Sequence, residues 1–285
     1  MFELANRNLL LFLRDKSAVC LSFLAEGIVI LLYILFIRNN LLEQFSYIKD
    51  GEMLMDIWMI AGILGITSVT TTMGAYGIMV EDRAKGIWRD FMIAPVKKWK
   101  MVGGYILSAT LIGTLMSLFV LIIAELYMEQ IYGRSILAGH GGELFVYVLL
   151  ITVSNSAMVL FLISFLKSSN ALASCCTILG ALLGFLTGIY LPLGSLPIEV
   201  QQMVKVFPMS HGVVLFRQSM MASLCTEGVM GGGEEECRKF MTYMGIEYSH
   251  NGTGVTASSH SSFLIFSGLV FLALSVWHLS QIKEC

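Results

Sequence analysis

Charge is what this sequence has least of. Only 13% of its 285 residues are Asp, Glu, Lys or Arg, and mean hydropathy is +0.77. A soluble domain carries roughly 25% charged residues. The deficit runs the whole length, which excludes a soluble fold with one anchor and leaves a polytopic membrane protein. No GxxxxGK[ST] loop occurs, so the usual cradle for hydrolysing ATP is missing. HExxH and GxSxG are also missing, which argues against a metalloprotease or a serine hydrolase. An intramembrane enzyme would need His, Asp or Glu clustered within spans, and the only span histidine is His278, near its cytoplasmic end. There is no CxxC, and Cys20, Cys175 and Cys176 fall in apolar runs as small hydrophobes, so no metal site is expected. The first apolar run is too long for a signal-peptide core and lacks a small-residue cleavage site, so it is expected to remain as a span.

Six apolar runs are each near the ~20 residues a helix needs to cross ~30 Å of hydrocarbon. They are Ser17–Ile37, Met53–Val80, Met101–Tyr127, Glu143–Leu166, Ala171–Leu191 and Phe263–Ile282. The expected fold is therefore an all-α polytopic membrane protein, one transmembrane domain over residues 1–285. With the N-terminus inside, the cytoplasmic segments hold eleven of the 18 basic residues and the outer ones seven. The positive-inside rule then puts both termini in the cytoplasm.

The loop Glu81–Lys100 carries Arg83, Lys85, Arg89, Lys97, Lys98 and Lys100. Ile87, Trp88, Phe91, Met92 and Ile93 add an apolar face at near-helical spacing, and Ala94-Pro95 ends it. A loop that only fixes topology explains the charges but not that face. A loop that docks a cytoplasmic partner explains both, with Trp88 or Phe91 as the knob that fills a cleft. Before the first span, residues 1–16 read as an interfacial helix with Glu3, Arg7 and Arg14 on one face, or as a plain basic flank. After the fifth, residues 192–221 hold Pro192, Pro197 and Pro208 around two short apolar stretches, the pattern of a re-entrant hairpin in the outer leaflet. Residues 222–262, rich in Gly, Ser and Glu, read as an exposed outer loop.

Three of these pieces, RNLLLFLRDK, TTTMGAYGIMVEDRAKGIWRDFMIAPVKKWKMVGGYILSA and LPLGSLPIEVQQMVKVFPMSHGVVLFRQ, occur in an order that resembles the membrane subunit of bacterial ABC-2 type (type V) ABC exporters. The resemblance implies six transmembrane helices with an N-terminal connecting helix, a cytoplasmic coupling helix and an outer re-entrant helical hairpin. It matches Glu81, Asp82, Arg83, Gly86 and Pro95 to the coupling segment, and Pro197, Pro208 and Arg217 to the hairpin. Arg89 and Asp90 depart from it, standing where many relatives have Glu and an apolar residue. The implied function is a permease that forms the substrate path with a second copy or a paralogue in a bacterial cell membrane. A separate cytoplasmic ATPase would hold ATP and Mg. No cofactor in this chain and no nucleic-acid partner are expected. In that family the second and fifth spans line the path, which would give Thr67, Ser68, Thr70, Thr71, Thr72 and Thr177 a mildly polar lining role.

Gly180, Gly184 and Gly188 recur at i, i+4, i+8, a stripe for close helix packing within the bundle or across a dimer. Glu26, near the middle of the first span, is an expensive place for a carboxylate. It either binds a cationic group or a proton, as an ion-coupled secondary transporter would require, or is neutral and donates to a neighbouring helix. The lack of a basic partner at that depth favours the second, and no matching inverted halves support the first. Cys225 and Cys237 face the outside and form a candidate disulfide, and Asn251-Gly252-Thr253 is a formal glycosylation sequon.

Overall fold

A computed structural model describes residues 1–46, 48, 50–93, 98–226, 234–250 and 253–281. Among these the chain is helical apart from one two-residue antiparallel pair, Ser249–His250 with Thr253–Gly254. Six helices are long and apolar enough to cross a membrane: Ser22–Gln44, Gly51–Ala84, Trp99–Tyr132, Gly141–Ser164, Ser169–Leu186 and Ala257–Leu279. The six runs of the sequence are all there, with shifted ends.

An amphipathic helix, α1 (Phe2–Arg14), leads into α2 (Lys16–Leu32), a π-helical turn (Tyr33–Ile37) and α3 (Arg38–Gln44). A π turn closes i→i+5 bonds, here the Arg38 N–H onto the Tyr33 carbonyl. It therefore brings Tyr33 and Arg38 onto one side, and both reach Asp56. Asp56 lies near the N-terminal end of α4 (Gly51–Ala84) and is buried. Arg38 Nε and the Tyr33 hydroxyl donate to its Oδ1 at 3.1 and 3.4 Å. The hydroxyls of Tyr127 and Tyr132 donate to Oδ2 at 2.8 and 2.7 Å. Arg38 also reaches Glu52 at 2.9 Å. Filling its acceptors in this way lowers the cost of burying the carboxylate.

The helix α4 forms the axis of the bundle and is buried along most of its length. It packs against α6 (Lys98–Tyr132) and α7 (Gly141–Ser164) after a short α5 (Ile87–Ile93). Hydroxyl and amide groups join these helices mid-bundle, as lipid-embedded interfaces favour. Asn155 donates to Ser68 Oγ at 2.7 Å, and the Tyr76 and Ser156 hydroxyls are 2.8 Å apart.

The helix α8 (Ser169–Leu186) ends earlier than the hydropathy predicts because Gly188 takes a left-handed φ of +74°. This corrects the expected glycine stripe. Gly188 lies beyond the helix, Gly180 faces open space, and only Gly184 is packed, its Cα against the ring of Tyr190 in the same chain. The hairpin follows as α9 (Ile198–Val206) and α10 (Pro208–Thr226), longer than expected at its far end. Pro197 is the residue before α9, and Pro208 opens α10 where its missing N–H leaves no bond unmade. Ser210 Oγ reaches the Val204 and Phe207 carbonyls at 2.7 and 2.8 Å and closes the corner.

Between α4, α7 and the last helix, α12 (Ala257–Gln281), α10 is largely buried. His211 joins it to α12. Its Nε2 lies 2.8 Å from the Lys205 carbonyl and so donates, which leaves Nδ1 to accept from His260 Nδ1 at 2.7 Å.

Arg217 is the other tie. It is 3% exposed, lies 4.5 Å over the Trp58 ring and donates to the carbonyls of Thr187 at 2.8 Å, Met244 at 3.3 Å and Gly245 at 3.3 Å. Trp58 Nε1 donates to the same Met244 carbonyl at 2.8 Å. The stretch expected as an exposed loop is thus partly core. The helix α11 (Glu234–Tyr243) and the turn after it bury Phe240, Met244, Ile246 and Tyr248 against the outer end of the bundle. The proposed Cys225–Cys237 bridge involves the Cys225 side chain, and the sequon Asn251; both lie outside the described residues.

Arg217→Lys should loosen this outer cap, because a single ammonium cannot span three carbonyls and an indole face. We expect a loss of about 2 kcal/mol or more, read as a lower thermal midpoint in detergent and faster proteolysis around α11. An unchanged midpoint would contradict this role.

Candidate functional site

The C-terminal end of α4 is held by one carboxylate. Asp82 is 3% exposed and accepts two bonds from Arg7 on α1, Nη1 to Oδ2 at 2.8 Å and Nη2 to Oδ1 at 2.9 Å. The Tyr105 hydroxyl on α6 donates to Oδ2 at 2.6 Å. The hydrogen bond to Asp82 raises the already high pKa of Arg7. Arg7 Nη1 also bonds Asn8 Oδ1 at 3.0 Å, and Asn8 reaches Ser108 at 3.4 Å. Three elements meet on Asp82: α1, α4 and α6. The approach of α1 depends on Gly104 of α6, where an added Cβ would stand 3.0 Å from Leu4 and 3.1 Å from the Met1 carbonyl.

Beyond Asp82 the chain turns through Gly86, whose φ of +78° an L side chain rarely adopts. The short α5 then runs back beneath the bundle. Trp88 lies 5.8 Å from Tyr105 with the rings 23° apart, and the Arg83 guanidinium sits 4.7 Å from the centre of the Trp88 ring. Arg83 also donates to the Ser164 and Leu166 carbonyls at the end of α7, where a cation is favoured.

This placement corrects the expectation that Trp88 projects to a partner. It is 5% exposed and anchors α5 to its own chain. Phe91 is half-buried, 6.0 Å beneath the Arg7 guanidinium. The apolar side chain that does project is Ile93, 85% exposed, with Asp90 also open and Trp99 exposed beyond. Glu81 and Lys85 form an exposed i,i+4 pair at 2.6 Å, worth little to stability. Arg14 is exposed in the last turn of α1. The Arg89 side chain and Pro95 lie outside the described residues.

Of the expected path residues, Thr67 and Thr71 are buried inside the chain and bond back to the Ile63 and Thr67 carbonyls at 2.9 and 2.6 Å. Ser68 and Thr72 are buried likewise. Thr70 is half-buried, and Thr177 and Gly180 are exposed on α8. Glu26 is buried, with Thr67 facing its carboxyl. Among the described residues no three His, Cys, Asp or Glu side chains gather as a metal ion would need. Asn8, Gly104, Tyr105 and Ser108 carry the site with Arg7 and Asp82, yet no local motif marks them. Only the polar side chains of Tyr105 and Ser108, one turn apart at the start of an apolar run, hint at a buried polar partner.

A family model described as ABC-2 type transporter matches residues 1–221. No curated protein matches the chain.

Two expectations follow from the geometry. Arg7→Ala strands a buried carboxylate, whereas Asp82→Ala leaves a half-exposed guanidinium that water can reach. The first should therefore cost about 3–5 kcal/mol and the second clearly less, as compared by thermal unfolding of the purified chain. Gly86→Ala should cost about 1 kcal/mol or more through the backbone alone, since nothing stands within 4 Å of the new methyl. Equal losses for the first pair, or a neutral Gly86→Ala, would refute the respective argument.

Proposed function

The chain belongs to the ABC-2 type transporter family, and we propose that it is one permease half of an ATP-driven exporter. As a family member it is a multi-pass membrane protein and the permease component of an ABC transporter, not itself an enzyme. The finer reading pairs it with a second permease, identical or paralogous, and with a cytoplasmic ATPase that holds ATP and Mg. The charge distribution supports both termini in the cytoplasm of a bacterial cell.

The observation that carries this reading is the Asp82 junction. An exposed tip, Ile93 with Asp90, stands at the end of a short helix that Trp88 fixes to α6 and that α4 continues into the bundle. A push on that tip reaches α1, α4 and α6 together, because Arg7 and Tyr105 share one carboxylate. Closure of an ATPase pair would thereby tilt the permease as a body, a rigid-element transition between inward- and outward-open states. Thr70, Thr177 and Gly180 remain the candidates for surface facing the second permease, and α8 is mostly exposed, with Ile178, Leu182 and Phe185 outermost.

Ile93→Asp tests the reading, since so exposed a residue can change without unfolding the chain. Affinity purification from the native host should recover a Walker-A ATPase with the wild type. The variant should lose at least tenfold of it, as expected of a contact whose burial contributes about 2 kcal/mol. A variant with wild-type melting that still retains the ATPase would exclude Ile93 as the docking residue. A wild type that purifies without any ATPase would undercut coupling altogether.

A further inference from the structure

A groove of about 360 Å³ opens between α2, α4 and α6 in the outer half of the bundle, lined by Ile30, Ile34, Ile63, Ile123, Ala124 and Tyr127 among others. Its rim side chains Ile34 and Ile123 are about half exposed, so the groove faces the lipid and not the interior of the bundle. At its outer mouth the polar groups are already spoken for. Asp56 uses both oxygens, and Arg38 is shared between Asp56 and Glu52. Two carboxylates balance one guanidinium there, which leaves no surplus cation to attract an anionic headgroup.

At the other end the situation is reversed. Glu26 and Ile30 stand at i and i+4 on α2, with Ile34 following in the π turn, and Thr67 and Ile63 lie four residues apart on α4. Glu26 is thus one helical turn below the apolar wall, 3% exposed, and its Oε1 has no hydrogen-bond partner. A buried carboxyl with an unfilled acceptor, one turn from an apolar groove open to the bilayer, calls for a donor. Thr67 faces it, but the Thr67 hydroxyl hydrogen is directed to the Ile63 carbonyl at 2.9 Å.

We propose that this groove binds a lipophilic cation, an amphiphile with a protonated amine and no phosphate, whose apolar body lies along Ile30, Ile34, Ile63 and Ile123 while its N–H donates to Glu26. A phospholipid headgroup is a poorer fit, because its phosphate would have to sit in hydrocarbon beside a carboxylate. The proposal names a substrate class for the permease reading, and that link rests on the reading; binding itself needs neither an ATPase nor a second permease.

The test uses the purified full chain in detergent and rhodamine 6G as the fluorescent lipophilic cation, with binding read by polarisation. An uncharged apolar fluorophore, Nile red, is the control. Saturable binding of the cation should weaken at least tenfold in Glu26→Gln, which removes the charge and keeps the shape. It should also be lost in Ala124→Phe, which fills the groove, with thermal midpoints of both variants checked against wild type. The uncharged control should not distinguish wild type from Glu26→Gln. No saturable binding by wild type, or equal affinity in Glu26→Gln, overturns the proposal. Binding lost in Ala124→Phe but unchanged in Glu26→Gln would also overturn it, by showing an apolar site without cation recognition. Each of these failures leaves the Ile93→Asp capture result, and so the permease reading, untouched.

Discussion

A carboxylate buried at each end of one helix organises this molecule. Asp56 and Asp82 are 26 residues apart on α4, roughly 39 Å at 1.5 Å per residue, close to the thickness of a bilayer with its interfaces. Each is held by an arginine from the N-terminal segment, Arg38 at Asp56 and Arg7 at Asp82. Each also accepts from tyrosine on α6, Tyr127 and Tyr132 at Asp56 and Tyr105 at Asp82. The N-terminal segment, α4 and α6 are therefore stapled together at both ends of α4. Between the staples the contacts are mostly apolar, with a few hydroxyl and amide pairs, and the groove beside Glu26 lies where α2 parts from the other two.

The two staples differ in what lies beyond them. Outside, α10 and α11 cap the bundle through Arg217, which finds backbone carbonyls in place of a carboxylate. A guanidinium surrounded by carbonyls holds loops of fixed shape, so the outer end is a lid over packed helices. At the other end, Asp82 continues at once into the Gly86 turn and α5, and the chain presents an exposed apolar tip. The coupling contact we propose would act at this end, where a short helix meets three others at a single charge cluster.

Much of this was legible in the residues. Six spans, the hairpin bounded by Pro197 and Pro208, and the family itself follow from apolar run length, proline chemistry and motif order. What was not legible required knowing which face of an element meets which neighbour. The apolar face of Ile87–Ile93 is plain, but periodicity cannot say whether Trp88 points to a partner or to its own α6, and it points to α6. Asp82 stood out within the coupling segment, whereas Arg7 is 75 positions away and Tyr105 is 23; one sequence carries no signal pairing them. The glycine stripe failed for a backbone reason: spacing assumes a continuous helix, and Gly188 sits past its end. Thr67 and Thr71 were expected as a polar lining because the resembled family lines its path with the second span. Each spends its donor on a carbonyl four residues back, which lets it be buried at little cost.

The central claim is that α1, α4 and α6 transmit force as one body because they share the Asp82 carboxylate. A double-mutant cycle on ATP-driven transport in reconstituted vesicles, with Arg7→Ala, Asp82→Ala and the pair, tests it most directly. The account predicts strong coupling, on the order of 1.5 kcal/mol or more, so that the double variant transports no worse than the poorer single one. Independent effects that multiply in the double variant would show that the two residues act separately, and would contradict it.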